Sequence, residues 1–413
     1  MSDRGRAAAD DVRRALAHAM ATERLRIVAT LIGTTGDWDL AEDAVADAAE
    51  RALRTWPRDG VPDNPAAWLT TTARRRAIDV IRRAHNERAK LVDLAALEAL
   101  TGAGEARATP VVDDRLRLVF TCCHPALSLE ARVALTLKVV AGLSTAAVAR
   151  AFLVPEATMG QRLLRAKNKI ANAGIPYRVP TPAMLPERLD GVLAVVYLAF
   201  TEGYAATDDA TAEEAIRLGR LLVELVPDSD EARGLLALML LQHSRRDARL
   251  VEGELVSLEQ QDRRRWDRAA IDEALDLGRI PGAAPGKYRL QAALAAVHAT
   301  ASRADDTDWP SIVTLYDELL RVVPSPVVAL NRAIALGMGN GPQAGLAALD
   351  ALAGDPRMTG YHLVPAARGH LLAQLGRSAE AVDSLDRAIE LAPTERERRQ
   401  LVRRRDELGD TGD

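Results

Sequence analysis

Three observations predict an all-α fold for this 413-residue chain. Alanine, leucine and arginine dominate while aromatics supply only 3% of positions, a composition of strong helix formers. Apolar residues recur at helical spacing through most of the length. Proline and glycine gather at a few sites, where they divide the helical segments instead of interrupting them. With 48% hydrophobic and 27% charged residues, the chain has core-forming material for roughly two to four domains.

Taken in order, the first helix covers 11–31, with Val12, Leu16, Ala19, Leu25, Val28 and Leu31 in periodic positions. Gly33–Gly36 breaks it. Asp37 or Asp39 then caps a second helix running to Trp56. After the loop Pro57–Pro62, Asn64 caps a third helix and Pro65 takes its first position, where a missing N–H costs nothing. Residues 86–112 change character and read as a linker, partly helical near Leu91–Leu100. Asp113–Cys123, Leu129–Ala141 and Ser144–Lys169 form a second helical cluster. Four prolines in Gly174–Pro186 mark a boundary. Beyond it, Leu189–Phe200 is an apolar helix expected to break at Gly203, followed by helices over Glu213–Val226, Asp230–His243, Arg268–Leu277 and Tyr288–Ala301. Near the end, Gly369, Leu372, Ala381, Leu385, Ala388 and Pro393 have the spacing of one tetratricopeptide unit, two helices crossing at small residues. A weaker match, through Ala344, Ala348 and Ala351, covers 325–354. These boundaries predict domains over 1–85, 113–176, 187–290 and 291–413.

The net charge of −4 hides an asymmetry. Residues 1–180 hold 27 Lys+Arg against 21 Asp+Glu, and the remainder 27 against 37. A basic front and an acidic back fit nucleic-acid binding in front and another role behind. No apolar run precedes Asp10, and no stretch of about 18 apolar residues could span a bilayer, so the expectation is a cytoplasmic protein without a membrane partner. Cys122 and Cys123 are adjacent and have no second cysteine pair to complete a four-ligand metal site. They read as core residues, with His124 beside them and Pro125 ending their helix.

Two basic cassettes carry the chemistry. In Ser144–Lys169, Ser144 caps a short helix and Pro155 opens a second, the order a helix-turn-helix requires. Thr158, Gln161, Arg162 and Arg165 share one face of the second helix. Arg and Gln make bidentate contacts to guanine and adenine edges, while Lys167 and Lys169 are placed for phosphate. In the other cassette Arg74, Arg75, Arg76, Arg82, Arg83, Arg88 and Lys90 face only Asp79 and Glu87. Such a charge density calls for water or phosphate, and each phosphate contact makes affinity salt-dependent. Leu69 and Trp68 provide the apolar side of that helix.

Trp68–Leu69, Ala73–Arg74, Ala77–Asp79 and Arg82–Arg83, followed by Pro155, Thr158, Arg162–Leu163 and Arg165–Lys167, resemble the extracytoplasmic-function sigma factors, over about residues 10–175. The resemblance implies two small helical sigma domains, 1–85 and 113–176, the second a helix-turn-helix. It implies that the acidic helix with Asp39, Glu42, Asp43 and Asp47 docks on core RNA polymerase. Trp68, Arg74, Arg75, Arg76, Arg82 and Arg83 would hold the −10 element of promoter DNA, and Thr158, Gln161, Arg162, Arg165, Lys167 and Lys169 the −35 element. A linker of about 25 residues reaches roughly 80 Å, enough to join two such reading heads. The chain departs from the family at three places. Arg75 stands where Asn is common, no aromatic occupies Thr70–Thr72, and Leu153 stands at the helix-turn-helix corner where Gly is usual. The second of these weakens stacking on a melted strand. Asp113–Leu127 and Tyr197–Tyr204 resemble a subgroup with a long C-terminal, partly tetratricopeptide-like extension, implicated in transcriptional activity. Glu202 and Tyr204 are the expected contact residues there.

No catalytic signature or cofactor is expected. Gly282–Lys287 is one residue short of a phosphate loop and is followed by Tyr288 where Ser or Thr is needed. The function expected is promoter-specific transcription initiation, with the C-terminal module regulating or supporting activity and offering a docking platform for a protein regulator. The rival reading is a stand-alone helix-turn-helix repressor with a solenoid sensor.

Overall fold

The computed structural model describes residues 3–87, 114–152, 154–206, 209–251, 254–279, 286–352 and 354–409. The linker expected over 86–112, with Arg88, Lys90 and the Leu91–Leu100 stretch, falls almost wholly outside the described residues, as does Leu153. The described chain is helical apart from one two-residue antiparallel pairing, Leu250–Val251 with Glu254–Leu255. Contacts divide it into two units, Met1–Leu218 and Gly219–Asp413.

The first unit opens with α1 (Asp3–Thr35), α2 (Trp38–Asp59) and α3 (Pro65–Glu87), which pack on one another. Asp37 is the α2 cap, accepting from the Leu40 N–H at 2.9 Å. Asn64 caps α3 through the Ala67 N–H at 3.0 Å. Val28, Ala41, Ala44, Ala52, Leu69, Ala73 and Ala77 are all but fully buried; five of these seven are alanines, which let the helix axes approach closely. Next come α4 (Asp114–Cys122), α5 (Leu129–Leu135), which widens into a π turn over Thr136–Val140, α6 (Thr145–Ala151) and α7 (Glu156–Asn172). α8 (Leu185–Ala206) packs against α4, α5 and α6, and its Arg188 donates to the Phe120 carbonyl at 2.9 Å. The expected break at Gly203 does not occur. One helical glycine costs only about 1 kcal/mol, and the turns around it are held by Phe200, fully buried and stacked on Tyr204 with centroids 5.6 Å apart.

α9 (Asp209–Leu225) contains the boundary between the units. The second unit continues with α10 (Asp230–His243), the single turn α11 (Arg246–Arg249), α12 (Arg268–Gly278), α13 (Lys287–Thr300), α14 (Trp309–Val322), α15 (Pro326–Asn340), α16 (Pro342–Asp350), α17 (Leu363–Gln374), α18 (Ser378–Leu391) and α19 (Glu395–Gly409). From α13 to α19 each helix packs on the next, the nearest-neighbour pattern of a helical solenoid. The hairpin α17–α18 matches the tetratricopeptide spacing: Ala381, Leu385 and Ala388 are fully buried, and a Cβ on Gly369 would stand 2.9 Å from Leu385.

The pattern expected over 325–354 is shifted by one position. Gly345, Leu346 and Leu349 face inward, while Ala344 and Ala348 are half-buried and Ala351 is exposed. The cause is the α15–α16 crossing, where a Cβ on Gly345 would lie 2.7 Å from the Gly337 Cα. Only glycine allows two backbones that close. α13 and α14 lack small-residue spacing because large side chains fill their interface, among them Leu290, Leu294, Ile312 and Leu319.

Cys122 and Cys123 are buried in α4 and the turn that follows it, and the Cys123 Sγ lies 3.5 Å from the Thr136 hydroxyl. Burial pushes the Cys122 thiol well above its ordinary range and the Cys123 thiol up to about 11.

The glycines predict opposite outcomes in urea denaturation. Gly345→Val forces the α15 and α16 backbones apart and lowers stability by about 2 kcal/mol or more. Gly160→Ala, in α7 with nothing within 4 Å of the added Cβ, raises it by up to about 1 kcal/mol. For the cysteines, a raised pKa means that the thiolate is depleted below the folded-state value. At pH 8 roughly one Cys123 side chain in a thousand is ionised. Ellman's reagent therefore leaves both thiols unmodified in native protein at pH 8 and reacts with two per chain in denaturant.

Candidate nucleic-acid and polymerase interface

Leu69, Ala73, Ala77 and Ile81 form the buried stripe of α3, which turns the arginines outward. Arg75, Arg82 and Arg83 are exposed, and Arg74 and Arg76 are half-buried. Trp68 is also half-buried and meets Trp56 edge-to-face, with centroids 5.4 Å apart, so α2 partly covers its ring. Facing α3 across an open groove of about 540 Å³, α2 contributes Arg51, Arg54 and Arg58, opposite Arg75 and Arg76. Five guanidinium groups share this groove with two carboxylates, Asp47 and Asp79. Asp47 pairs with Arg76, and Arg54 with Glu50 outside the groove at 2.7 Å.

The three α2 arginines are absent from the expected set because that helix reads as acidic. Their spacing of three and four residues on one face was the signal available. Of the acidic residues, Asp39 and Asp43 are exposed, and Glu42 and Asp47 are half-buried.

In the second cassette the Ser144 hydroxyl accepts from the Ala147 N–H at 3.1 Å, and α7 starts directly after Pro155. Met159, Leu163, Ala166 and Ile170 bury one side of α7. Thr158, Gln161, Arg165 and Lys169 remain exposed on the other faces. The Arg165 Nε donates to the Gln161 carbonyl at 3.2 Å, holding the arginine stem against its own helix. Arg162 is turned back, 3.3 Å from a Glu130 carboxylate oxygen and 5.6 Å above the Phe152 ring.

Lys167 is also withdrawn from the open face. Its Nζ donates to Asp39 Oδ1 at 2.7 Å and to Glu42 Oε2 at 2.8 Å, so a residue expected on phosphate pairs with two expected on polymerase. Desolvation alone would lower the Lys167 pKa, but these two hydrogen bonds raise it above its ordinary value. Glu42 gathers two more cations, Lys138 Nζ at 3.5 Å and Arg24 Nη2 at 4.0 Å.

Arg24 itself is largely desolvated, which lowers its pKa against the pull of Glu42, and it donates to the Val139 carbonyl at 3.0 Å. Around this hub, Thr30 donates to Asp114 at 3.0 Å and the Tyr177 hydroxyl donates to the Ala29 carbonyl at 2.7 Å. The α1–α3 bundle and the helix-turn-helix body are thus joined side by side, with α2 and α7 linked by charge.

Comparison with known proteins agrees with this architecture. Residues 17–87 match the family described as Sigma-70 region 2, and residues 117–170 the family described as Sigma-70, region 4. Residues 188–279 match a family of unknown function, DUF6596. An uncharacterized protein of Rhizobium meliloti (strain 1021) is 45% identical over 388 residues, spanning 91% of each chain. Among the described residues no helix is long and apolar enough to cross a membrane. Sigma factor families are not enzymes; they act by binding core RNA polymerase and promoter DNA. The two sigma regions, in order and each on its own helical body, together with the helical extension behind them, place the chain in the sigma-70 family as an RNA polymerase sigma factor of the extracytoplasmic-function-like type with a C-terminal extension.

Proposed function

We propose that this sigma factor directs core polymerase to a specific promoter set from a closed resting state. In this reading Asp39, Glu42, Asp43 and Asp47 dock on polymerase. Trp68 and Arg74, Arg75, Arg76, Arg82 and Arg83, joined by Arg51, Arg54 and Arg58, hold the −10 region. Thr158, Gln161, Arg162, Arg165 and Lys169 engage the −35 region, and Lys167 joins them once released from α2. The observation that carries the reading is the Lys167–Asp39–Glu42 contact: the docking helix and the DNA-reading helix neutralise each other until a partner replaces one of them. The acidic helical extension acts as a regulatory or supporting module and a platform for a protein regulator.

Run-off transcription with core polymerase tests this, on a template carrying the region upstream of the gene itself. Because α8 packs on the second sigma body, the comparison chain should end after Ala206 and keep that helix. Full-length protein is expected to give a discrete promoter-dependent product, and the truncated chain to give a changed yield. Arg82→Ala and Arg165→Ala each reduce the product about tenfold, and Arg82→Ala also lowers the salt dependence of DNA binding by about one counterion. Promoter-independent products only, unchanged by either substitution, would refute the reading.

Lys167→Met removes both ion pairs, of which only the Asp39 side is open to solvent, a contact worth about 1 kcal/mol or more. It is expected to raise affinity for core polymerase about fivefold at low salt. The difference should shrink as ionic strength rises and the wild-type pairs are screened. Equal affinity at every salt concentration would show that the contact does not restrain docking.

A further inference from the structure

The second unit contains a cavity of about 720 Å³ between α10, α12, α13 and α14, within the range of small-molecule sites, roughly 300–1,000 Å³. Its origin lies in two sequence features. The walls carry small side chains, including Ala237, Ala274, Ala293 and Ala296, which leave open the space that leucines fill elsewhere in this unit. At one end, Gly234 lets the first turn of α13 lie directly on α10, since a Cβ there would stand 2.6 Å from the Arg289 N. That approach brings Arg289 next to Asp230 and Arg233 on the preceding turn of α10.

The result is a charged pole on an otherwise uncharged lining: two guanidinium groups and one carboxylate. The pole is held in place. Glu231 accepts from the Tyr288 and Arg289 backbone N–H groups at 3.0 and 3.1 Å, so its charge is committed to the α13 terminus. Arg233 pairs with Asp230 and also donates to the Pro227 carbonyl. Arg289 is left under-satisfied. Its buried Nη1 lies 3.5 Å from Asp230 and makes no hydrogen bond. That nitrogen is closed to solvent, but the Arg289 side chain as a whole is 29% exposed and lines the cavity, so its other guanidinium N–H groups are the ones an anionic oxygen can meet.

We propose that this cavity binds a small amphipathic monocarboxylate, its head on Arg289 and Arg233 and its apolar body along the alanine walls. The charge balance selects the class: two cations against one carboxylate leave one positive charge, which a monoanion neutralises. The long apolar floor selects a hydrocarbon or aromatic body over a sugar or nucleotide. The site goes beyond the transcriptional role proposed above and gives the extension a chemical input of its own. Because its test measures binding alone, the outcome does not depend on that role.

Isothermal titration calorimetry of the full-length chain with decanoate, decanol and decylammonium tests the assignment. Decanoate is expected to bind saturably at one site per chain, at least tenfold tighter than decanol, with decylammonium weakest. Arg289→Gln should weaken decanoate at least tenfold and leave decanol unchanged. Ala293→Phe fills the cavity and should abolish binding of both, with circular dichroism showing retained helix. Absence of decanoate binding to folded wild type, equal affinity for all three probes, or decanoate affinity unchanged in both variants would each overturn the proposal.

Discussion

Glu42 is the interaction on which the first unit depends. It is a half-buried carboxylate on α2 surrounded by Lys167, Lys138 and Arg24, which come from α7, the π turn after α5, and α1. A carboxylate withdrawn from water is tolerated only where partners restore what solvation supplied, and here three cations do so from three separate parts of the chain. The second oxygen of the pairing comes from Asp39, whose side chain is 72% exposed, while Lys167 is only 13% exposed. The lysine is the buried member and the aspartate the accessible one. A competitor with its own positive charge can therefore reach Asp39 from solvent before Lys167 has moved. That geometry suits a contact meant to be exchanged and not merely to stabilise.

Economy of residues follows. In the roles proposed above, α2 and α7 meet partners of opposite charge: basic groups on a protein surface for one, phosphates for the other. Two surfaces selected for opposite partners are complementary to each other, so closing them together needs no further residues. Arg162 shows the same kind of pairing on a smaller scale, resting on Glu130 and Phe152. The groove between α2 and α3 differs. With five arginines and two carboxylates it is only partly compensated, by Asp47 on Arg76 and by Glu50 on Arg54, and it remains open among the described residues.

The second unit is organised by volume instead of charge. Where helices must cross closely, glycine stands at the contact, as with Gly345 on Gly337 or Gly369 beside Leu385. Where alanines line facing helices away from such a crossing, space is left over, and α10, α12, α13 and α14 enclose it. Beyond the cavity, from α13 to α19, each helix packs on the next, and in such a run each interface contributes separately to stability.

By itself the sequence determined the helical class, the caps at Asp37, Asn64 and Ser144, the two sigma regions, and the small-residue hairpin 363–391. All of these are local: they follow from spacing along one helix or from a side chain reaching its own backbone. Tertiary structure alone decided the rest. The Lys167 pairings span more than 120 positions, and no periodicity along one helix encodes a partner at that distance. The α2 arginines share a face by their spacing, but only the fold shows that α3 lies opposite them across a groove. Gly203 stayed helical because Phe200 and Tyr204 pack around it, and the α15–α16 register turned by one residue because only Gly345 lets those backbones meet. Propensity and pattern act over a few residues, whereas burial and charge pairing act wherever the fold brings groups together, and at these positions the second kind of term is the larger.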